Sequence, residues 1–390
     1  MIWTSIRQLP GWVRLLVLGR FINAAGALAL IYLAVYLVQD RGLEPGLAGV
    51  IAGGHGLGVI AGNLLGGWFG DRFGNKPTLL AGYLGWALLC LAFPFAGTSY
   101  LLPIALASGF AAGSGHPVGT ALVAAAVPPE QRRVGIAITR AAINAGVVIG
   151  PPLGALAAAV DFSLIFFIDT LTSLALAGIV WRWVPSAPAL SKADYRRGFF
   201  AAVRRDRKVM ALVAGVVVLD TAYRQLFTGL PLMLQDQLVA YGILLAASSL
   251  LIVLAEAPLA VVFANRPALQ VIILGWAVVC LGFVALILWP ALGGAIIAVT
   301  VITFGEMLYK PTSPVLAAER APEGMEGRYQ SLYSGASISG MVFSPLIGGF
   351  MFQYAPDLLW PLCCVMAFSA TAALAWIARS PARVAATEPG

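Results

Sequence analysis

Charged side chains stand inside long apolar stretches of this sequence, where charge is least expected. Eight residues share this property: Arg20, Arg140, Asp169, Asp220, Arg224, Glu256, Glu306 and Lys310. An ionised side chain that leaves water without a partner loses much free energy, so such groups normally pair with one another or face a hydrated passage. The chemistry that they permit is charge pairing, proton exchange and the binding of a charged solute.

Two acid–base pairs have the same spacing. Asp220 precedes Arg224 by four residues, and Glu306 precedes Lys310 by four. Residues four apart share a helix face, and an acid placed before its base is the favourable order. Each pair is either a permanent neutral ion pair that holds helices together or a site at which one acid exchanges a proton when its surroundings change. The sequence leaves both alternatives open.

Metal binding and covalent catalysis have no matching constellation. The chain has two histidines and four cysteines, and the cysteines all fall in apolar segments. These residues show no metal-ligand spacing, and the glycine–lysine pattern of a nucleotide-driven pump is absent. No serine has a plausible histidine partner for covalent hydrolysis. We therefore expect no cofactor, no metal and no enzymatic activity.

The elements that carry the charges are membrane helices. Of the 390 residues, 60% are hydrophobic and 11% are charged, and the mean hydropathy is +0.89. Apolar runs longer than about 18 residues recur without the alternation of a membrane barrel, which predicts an all-α membrane protein. The predicted segments are 11–38, 45–70, 77–96, 100–126, 134–160, 163–184, 209–234, 240–264, 268–289, 291–318, 328–354 and 357–379.

The net charge of +7 reflects how the chain is oriented in the membrane. With both termini in the cytoplasm, nineteen of the 24 lysines and arginines fall on the cytoplasmic side, Arg41 falls outside, and four lie within segments. This asymmetry follows the positive-inside rule and argues against nucleic-acid binding. The excess of arginine over lysine and the abundant alanine fit a GC-rich bacterial source, so we expect a bacterial cytoplasmic membrane.

The chain divides into two halves. A polar connection, 185–208, with an expected amphipathic helix, separates an N-terminal bundle of six helices (1–184) from a C-terminal one (209–390). A shift of 194 residues aligns Pro117 with Pro311, Pro128 with Pro322, Gly146 with Gly340, Pro151 with Pro345 and Gly154 with Gly348. The same shift places His116 on Lys310, so the two would face each other across a pseudo-twofold axis.

A charged turn, 67–76, joins the second and third segments and reads Gly-Trp-Phe-Gly-Asp-Arg-Phe-Gly-Asn-Lys. Glycines recur every fourth residue from Gly54 to Gly70, which lets another helix approach that face. We expect Asn75 to cap the third helix. The pattern resembles the signature between helices two and three of the major facilitator superfamily, from which Phe69 and Asn75 depart.

A second motif, 146–154, carries paired prolines and glycines in segment five. It is similar to the helix-five motif of the drug:proton antiporters in that superfamily, with Ala137 and Ala155 in place of two glycines. Phe167 to Thr172 looks like the sixth helix of macrolide-efflux-type members. The arginine that proton antiporters carry in helix four is absent between Leu106 and Gly115.

The resemblance implies two six-helix bundles that rock around a midplane site, which helices one, four, seven and ten line. Candidate substrate-binding or proton-coupling residues are then Asn23, His116, Asp220, Arg224, Glu306 and Lys310. Candidate gating residues are Gly67, Asp71, Arg72, Gly74, Lys76, Gly146, Gly150, Pro151 and Gly154. The Asp71 turn is expected to lock helix two against helix eleven when the cavity opens outward.

The resulting functional prediction is a secondary transporter. Its first form is proton-coupled efflux of small amphipathic, drug-like compounds. The alternative is proton-linked import or export of a charged metabolite. Outside this class, a polytopic lipid enzyme or a membrane sensor would lack the solute route. The expected partners are a small-molecule substrate, protons and the lipid bilayer, and a monomer suffices for the mechanism.

Overall fold

A computed structural model describes residues 9–126, 132–186, 203–204, 206–322 and 325–379. Within its helices, the side chains of Asp71, His116 and Arg140 are among those left undescribed. Of the predicted connection 185–208, with its amphipathic helix, residues 187–202 and 205 lie outside the described residues.

Within the described residues, twelve long helical elements follow one another. In order they are α1 (Gly11–Gly26, continued by Ala29–Val35 and a π-helical turn, Tyr36–Asp40), α2 (Pro45–Phe73), α3 (Asn75–Ala92), α4 (Thr98–Ala126), α5 (Arg132–Val160), α6 (Ser163–Trp183), α7 (Arg207–Tyr223, continued by the turns Arg224–Leu226 and Gly229–Met233), α8 (Leu238–Phe263), α9 (Ala268–Leu288), α10 (Leu292–Glu319), α11 (Glu326–Tyr354) and α12 (Leu359–Arg379).

The prediction of an all-α membrane protein is confirmed. Among the described residues, eleven helical spans are long and apolar enough to cross a membrane, and the twelfth helix, α4, is 29 residues long. The part of the chain that the structure describes contains no β-strand. The molecule is therefore a multi-pass membrane protein.

The helix packing shows the two pseudo-symmetric bundles. In the first, α1 packs against α5 and α6, α2 against α4, and α3 against α4 and α6. Six helices later the same contacts recur: α7 packs against α11 and α12, α8 against α10, and α9 against α10 and α12. Extensive contacts between the two sets run from α2 to α11 and from α5 to α8.

Local sequence explains two helix ends. Gly74 ends α2 with φ +92°, a conformation that suits glycine because a side chain would clash there. The prediction that Asn75 caps α3 is wrong: Gly74 occupies the cap, no side chain caps it, and Asn75 is the first helical residue. At the start of α7 the Asp206 side chain accepts from the backbone N–H groups of Lys208 and Val209, as a good N-cap does.

Candidate functional site

The two acid–base pairs predicted from their spacing are both formed. On α7 the Arg224 Nε lies 2.6 Å from Oδ2 of Asp220. On α10 the Lys310 Nζ lies 2.7 Å from Oε1 of Glu306. Both pairs belong to the C-terminal bundle.

Tyr223 links the two pairs across the helices. Its hydroxyl donates to Oε2 of Glu306 at 2.7 Å, and the Lys310 ammonium lies 3.9 Å from the centroid of its ring. A cation at this distance from an aromatic face is attracted by the ring. Glu306 is thus held by a phenol from α7 and an ammonium from α10, and the four charges form one group.

The acids of this charge cluster (Asp220, Arg224, Glu306 and Lys310) are more buried than its bases. The side chain of Asp220 is 4% exposed and that of Glu306 13%, whereas Arg224 is 27% and Lys310 35% exposed. The cluster is neutral when all four groups are ionised. The two cations are therefore the more accessible members of the cluster.

Apolar and aromatic groups surround the covered side of the cluster. Tyr309 is buried, its ring stands edge-on to Trp276, and Phe227 contacts Tyr223 in the same way. The Tyr309 hydroxyl and the Trp276 indole nitrogen are buried without a hydrogen-bond partner among the described residues. Gly340 of α11 lies against Asp220 so closely that a side chain there would collide with the carboxylate. The shift of 194 residues pairs this glycine with Gly146.

Asn23 and His116 are not seen in this cluster. The Asn23 amide donates to the Ser173 hydroxyl of α6 at 2.9 Å, within the N-terminal bundle. His116 lies in α4, but its side chain is outside the described set, so its predicted position opposite Lys310 stays a prediction. His55 is buried in the N-terminal bundle, and its Nδ1 lies 3.1 Å from the Ser108 hydroxyl.

The two bundles meet where α1, α5 and α11 end and α2 and α8 begin. Tyr32 of α1 and Tyr241 of α8 are both buried and pack edge to face, with ring centroids 5.9 Å apart. The Gln353 side chain of α11 accepts from the backbone N–H of Gly46 at 2.9 Å. At Gly49 the backbone of α11 is so near that a β-carbon would overlap the Pro345 carbonyl. These contacts close one end of the molecule, which the positive-inside rule predicts to be the outer end.

The α5 motif lies at the same closure. Gly146, Gly150 and Gly154 all pack against α1: Gly146 lies near the Phe21 carbonyl, Gly150 near the Ala25 carbonyl and Gly154 near the Tyr32 ring. The carbonyl of Pro151 accepts a 2.6 Å hydrogen bond from the Tyr32 hydroxyl. The same carbonyl lies beside Gly242 of α8. The motif therefore joins α1, α5 and α8.

The charged turn lies at the opposite end of α2. Gly67 has no atom within 4 Å of the place where a β-carbon would lie, and Trp68 and Phe73 are 52% and 57% exposed. The Arg72 guanidinium lies 5.5 Å from the Trp68 ring centroid, and Lys76 is half-buried. The Asp71 side chain is outside the described set. The predicted lock against α11 concerns the other access state and stays a prediction.

Sequence reasoning missed the partners of two charged groups. The hydrogen bond from Tyr223 to Glu306 joins residues 83 positions apart, and Asp169 accepts from the Trp86 indole, also 83 positions away. The spacing of the charges does not identify these partners, because the packing of α7 against α10 and of α3 against α6 decides which side chains meet.

Two pseudo-symmetric six-helix bundles are the parallel-repeat architecture of secondary transporters, and the family and relatives that match this chain are transporters and not enzymes. The model of the Major Facilitator Superfamily matches residues 16–337, and the chain belongs to this family.

Known relatives and structures agree with this assignment. The uncharacterised MFS-type transporter YttB of Bacillus subtilis is 29% identical over 89% of both chains. A Na(+), Li(+), K(+)/H(+) antiporter of Planococcus maritimus is 23% identical over 84% of this chain and 86% of its own length. The structure of an auto-inhibited POT family peptide transporter is similar in fold, with a TM-score of 0.82 at 16% identity, over 98% of this chain and 99% of that one.

Proposed function

We propose that this chain is a proton-coupled secondary transporter and that the charge cluster couples the proton to the solute. The observation that supports this most is the Glu306–Lys310 pair: its acid is covered, its base is a third exposed, and Tyr223 touches both. The relative from Planococcus exchanges protons according to its name. We place the protein in the cytoplasmic membrane of a bacterium, with both termini in the cytoplasm.

The coupling follows from charge balance. With Glu306 ionised, Lys310 is neutralised by a carboxylate 2.7 Å away and has little attraction for a second anion. Once Glu306 takes up a proton, the cluster carries one net positive charge and Lys310 is free to bind an anion. Solute and proton then cross together, and each release restores the ion pair.

The function that the geometry supports best is proton-linked transport of a small organic anion, which is one form of the charged-metabolite alternative. Lys310 and Arg224 are the exposed members of the cluster, whereas the acids that a cationic solute would need are covered. One protonated carboxyl for each anion gives an electroneutral step. The direction of net flux then follows the gradients of the solute and the proton.

Efflux of small amphipathic compounds is the second candidate. It is favoured by the aromatic residues beside the cluster, Tyr223, Phe227 and Tyr309, which offer a wall for an apolar ring. The α5 motif, similar to that of drug:proton antiporters, supports the same candidate. Such a solute would use the aromatic wall for affinity and the acids only for the proton.

Transport by reconstituted protein tests both candidates. Vesicles that enclose a pH-sensitive dye are held at neutral pH inside and acid outside, and one solute is added at a time. Gluconate, which does not cross lipid unaided, should acidify the interior, whereas a lipophilic cation such as ethidium should not. Proton movement with ethidium alone would favour amphipathic efflux. The absence of solute-dependent proton movement for organic acids, ethidium and neutral antibiotics would refute proton coupling.

A further inference from the structure

Asp169 is an acidic residue that takes no part in the proposed coupling step. It lies on α6 in the N-terminal bundle and has no exposed surface. In the part of the chain that the structure describes, no lysine or arginine nitrogen lies within 4 Å of it. A buried carboxylate without a cation must be held by several hydrogen bonds or accept a proton.

Three helices supply donors to this carboxyl group. The Trp86 indole of α3 donates to Oδ1 at 2.8 Å, and the backbone N–H of Ala29 in α1 donates to Oδ2 at 3.2 Å. The Ser173 hydroxyl of α6 lies 3.5 Å from Oδ1 and is itself the acceptor for the Asn23 amide. The indole N–H, the backbone N–H and the hydroxyl are all donors, and the carboxyl oxygens of Asp169 are their acceptors. The arrangement therefore fits the ionised carboxylate, and a proton on Asp169 would compete with one of the donors.

The hydrogen bond to Ala29 falls at the break in α1. The helix stops at Gly26 and resumes at Ala29, which leaves backbone N–H groups without a helical partner. Asp169 accepts from one of them and so ties the second part of α1 to α6. That part carries Tyr32, which meets Tyr241 of α8 at the closed end. Asp169 thus binds a residue that lies less than one helical turn before Tyr32, and Tyr32 forms the contact between the bundles.

A small, mostly apolar cavity lies beside Ala29 and Trp86, two of the residues that donate to Asp169. Its volume is about 10 Å³, room for roughly one water molecule, and Ala29, Trp86, His55 and Ser108 are among its lining residues. His55 packs edge-on against Trp86, with ring centroids 5.3 Å apart.

Few other titratable groups surround Asp169. Cys90 is the one that α3 contributes, and α2 contributes His55 behind the indole. Of the charged residues on α1, Arg20 is the nearest in sequence to Ala29, about two and a half turns before it, and Arg14 and Asp40 lie farther along the helix. The side chain of Arg140 on α5 is outside the described set. Asp169 is the acid that holds the α1 break.

From this geometry we propose that Asp169 binds and releases a proton, and that its charge sets how firmly the second part of α1 is held to α6. Ionised Asp169 keeps α1 broken and the outer end closed. Protonated Asp169 releases a donor, which lets α1 move and the outer end open. The N-terminal bundle then has a proton site of its own, and the proposal does not depend on the role of Glu306.

Infrared difference spectroscopy of the purified chain in lipid tests the proton itself. Lowering the pH should produce a carboxylic-acid C=O band that Asp169→Asn removes and Glu306→Gln retains. Persistence of the whole band pattern in Asp169→Asn would overturn the proposal. Loss of a band in Glu306→Gln alone would support only the coupling role of Glu306, so the two proposals can fail separately.

Chemical labelling tests the effect on the outer end. Ala155 is fully buried in the closed state, with its methyl group against Gly242 of α8, and Ala155→Cys places a thiol there. A membrane-impermeant maleimide should label it several-fold more at low pH than at high pH. In the Asp169→Asn background the labelling should be high at every pH. A pH dependence that Asp169→Asn leaves unchanged would overturn the proposal, and the chain without Ala155→Cys gives the background from native cysteines.

Trp86→Phe is a second variant that keeps the aromatic ring and removes one donor. Because a hydrogen bond to the carboxylate favours its ionised form, both the infrared band and the labelling change should occur at higher pH, by about one to two pH units. A purely structural tryptophan would alter the amount of folded protein without moving the pH of the transition. An unmoved transition in a folded Trp86→Phe protein would contradict the assignment.

Discussion

Replacing Glu306 by glutamine should separate solute binding from proton coupling. The amide keeps the length of the side chain and still accepts from the Tyr223 hydroxyl, but it cannot carry a charge. Lys310, whose side chain is 35% exposed, then has a permanent positive charge without its 2.7 Å partner. The variant thus imitates the protonated state, in which the proposed mechanism binds the anion.

The expected change in solute accumulation follows from the number of protons that cross with each anion. One carboxyl group that is protonated for each anion carries one proton, and one pH unit corresponds to about 1.4 kcal/mol, or roughly tenfold accumulation. A gradient of about two pH units should therefore give the native protein close to 100-fold accumulation, and the variant close to none. A charge pair about 4 Å apart is worth roughly 4 kcal/mol at an effective dielectric constant near 20, and less when water screens it. The loss of the competing carboxylate should tighten anion binding at least about tenfold.

Two measurements on the same vesicles distinguish these effects. Accumulation of labelled gluconate under a pH gradient should be lost in Glu306→Gln, while exchange of internal for external gluconate should persist without a pH dependence. Asp236→Asn is a matched control, because Asp236 is exposed between α7 and α8, and it should behave like the native chain. Native accumulation by a folded Glu306→Gln protein would refute the coupling role. Loss of exchange would show that Glu306 binds the solute directly.

Three further substitutions test the surroundings of the site. Tyr223→Phe removes the phenol donor to Glu306 and should move the pH dependence of transport to higher pH while exchange persists, as a pH profile of both rates would show. Gly49→Leu should prevent α2 from reaching the Pro345 backbone of α11, abolishing transport and raising maleimide labelling at the closed end. Arg41→Ala removes a guanidinium that donates to three carbonyls after α3 and should cost about 1–3 kcal/mol, lowering the unfolding temperature in a thermal assay.

The fold was predictable because hydrocarbon imposes a simple rule on sequence. Each span must satisfy its own backbone, so twelve apolar runs become twelve helices, and the predicted segments agree with the observed ones to within a few residues. The ion pairs were predictable for a similar reason: four residues on a helix return to the same face, whatever surrounds it. Asp220 and Glu306 therefore meet their bases as the spacing requires.

Contacts between helices were beyond this reasoning. The assignment of Asn23 to the central cavity stays a prediction, and its hydrogen bond to Ser173, which lies beside the Asp169 carboxyl group, is a contact that the sequence does not indicate. The sequence at the break of α1 after Gly26 contains no proline that would predict it. It depends on acceptors from α6, and the identity of such acceptors is fixed by packing rather than by local sequence. The expected cap at Asn75 failed because a glycine with positive φ already ends the preceding helix.

Under the two proposals, Glu306 and Asp169 divide the work of alternating access between the bundles. Glu306 is held by the partly exposed Lys310 ammonium, so the proposed proton on Glu306 would affect solute binding in the C-terminal bundle. Asp169 is held by donors that no solute touches, and one of them belongs to the part of α1 that bears Tyr32. A proton on Glu306 alone would admit the solute without moving the closure, and a proton on Asp169 alone would loosen the closure without engaging the solute. Because transport requires both events in one cycle, Asp169→Asn should allow solute exchange but lose tight coupling, whereas Glu306→Gln should keep a closure that still responds to pH.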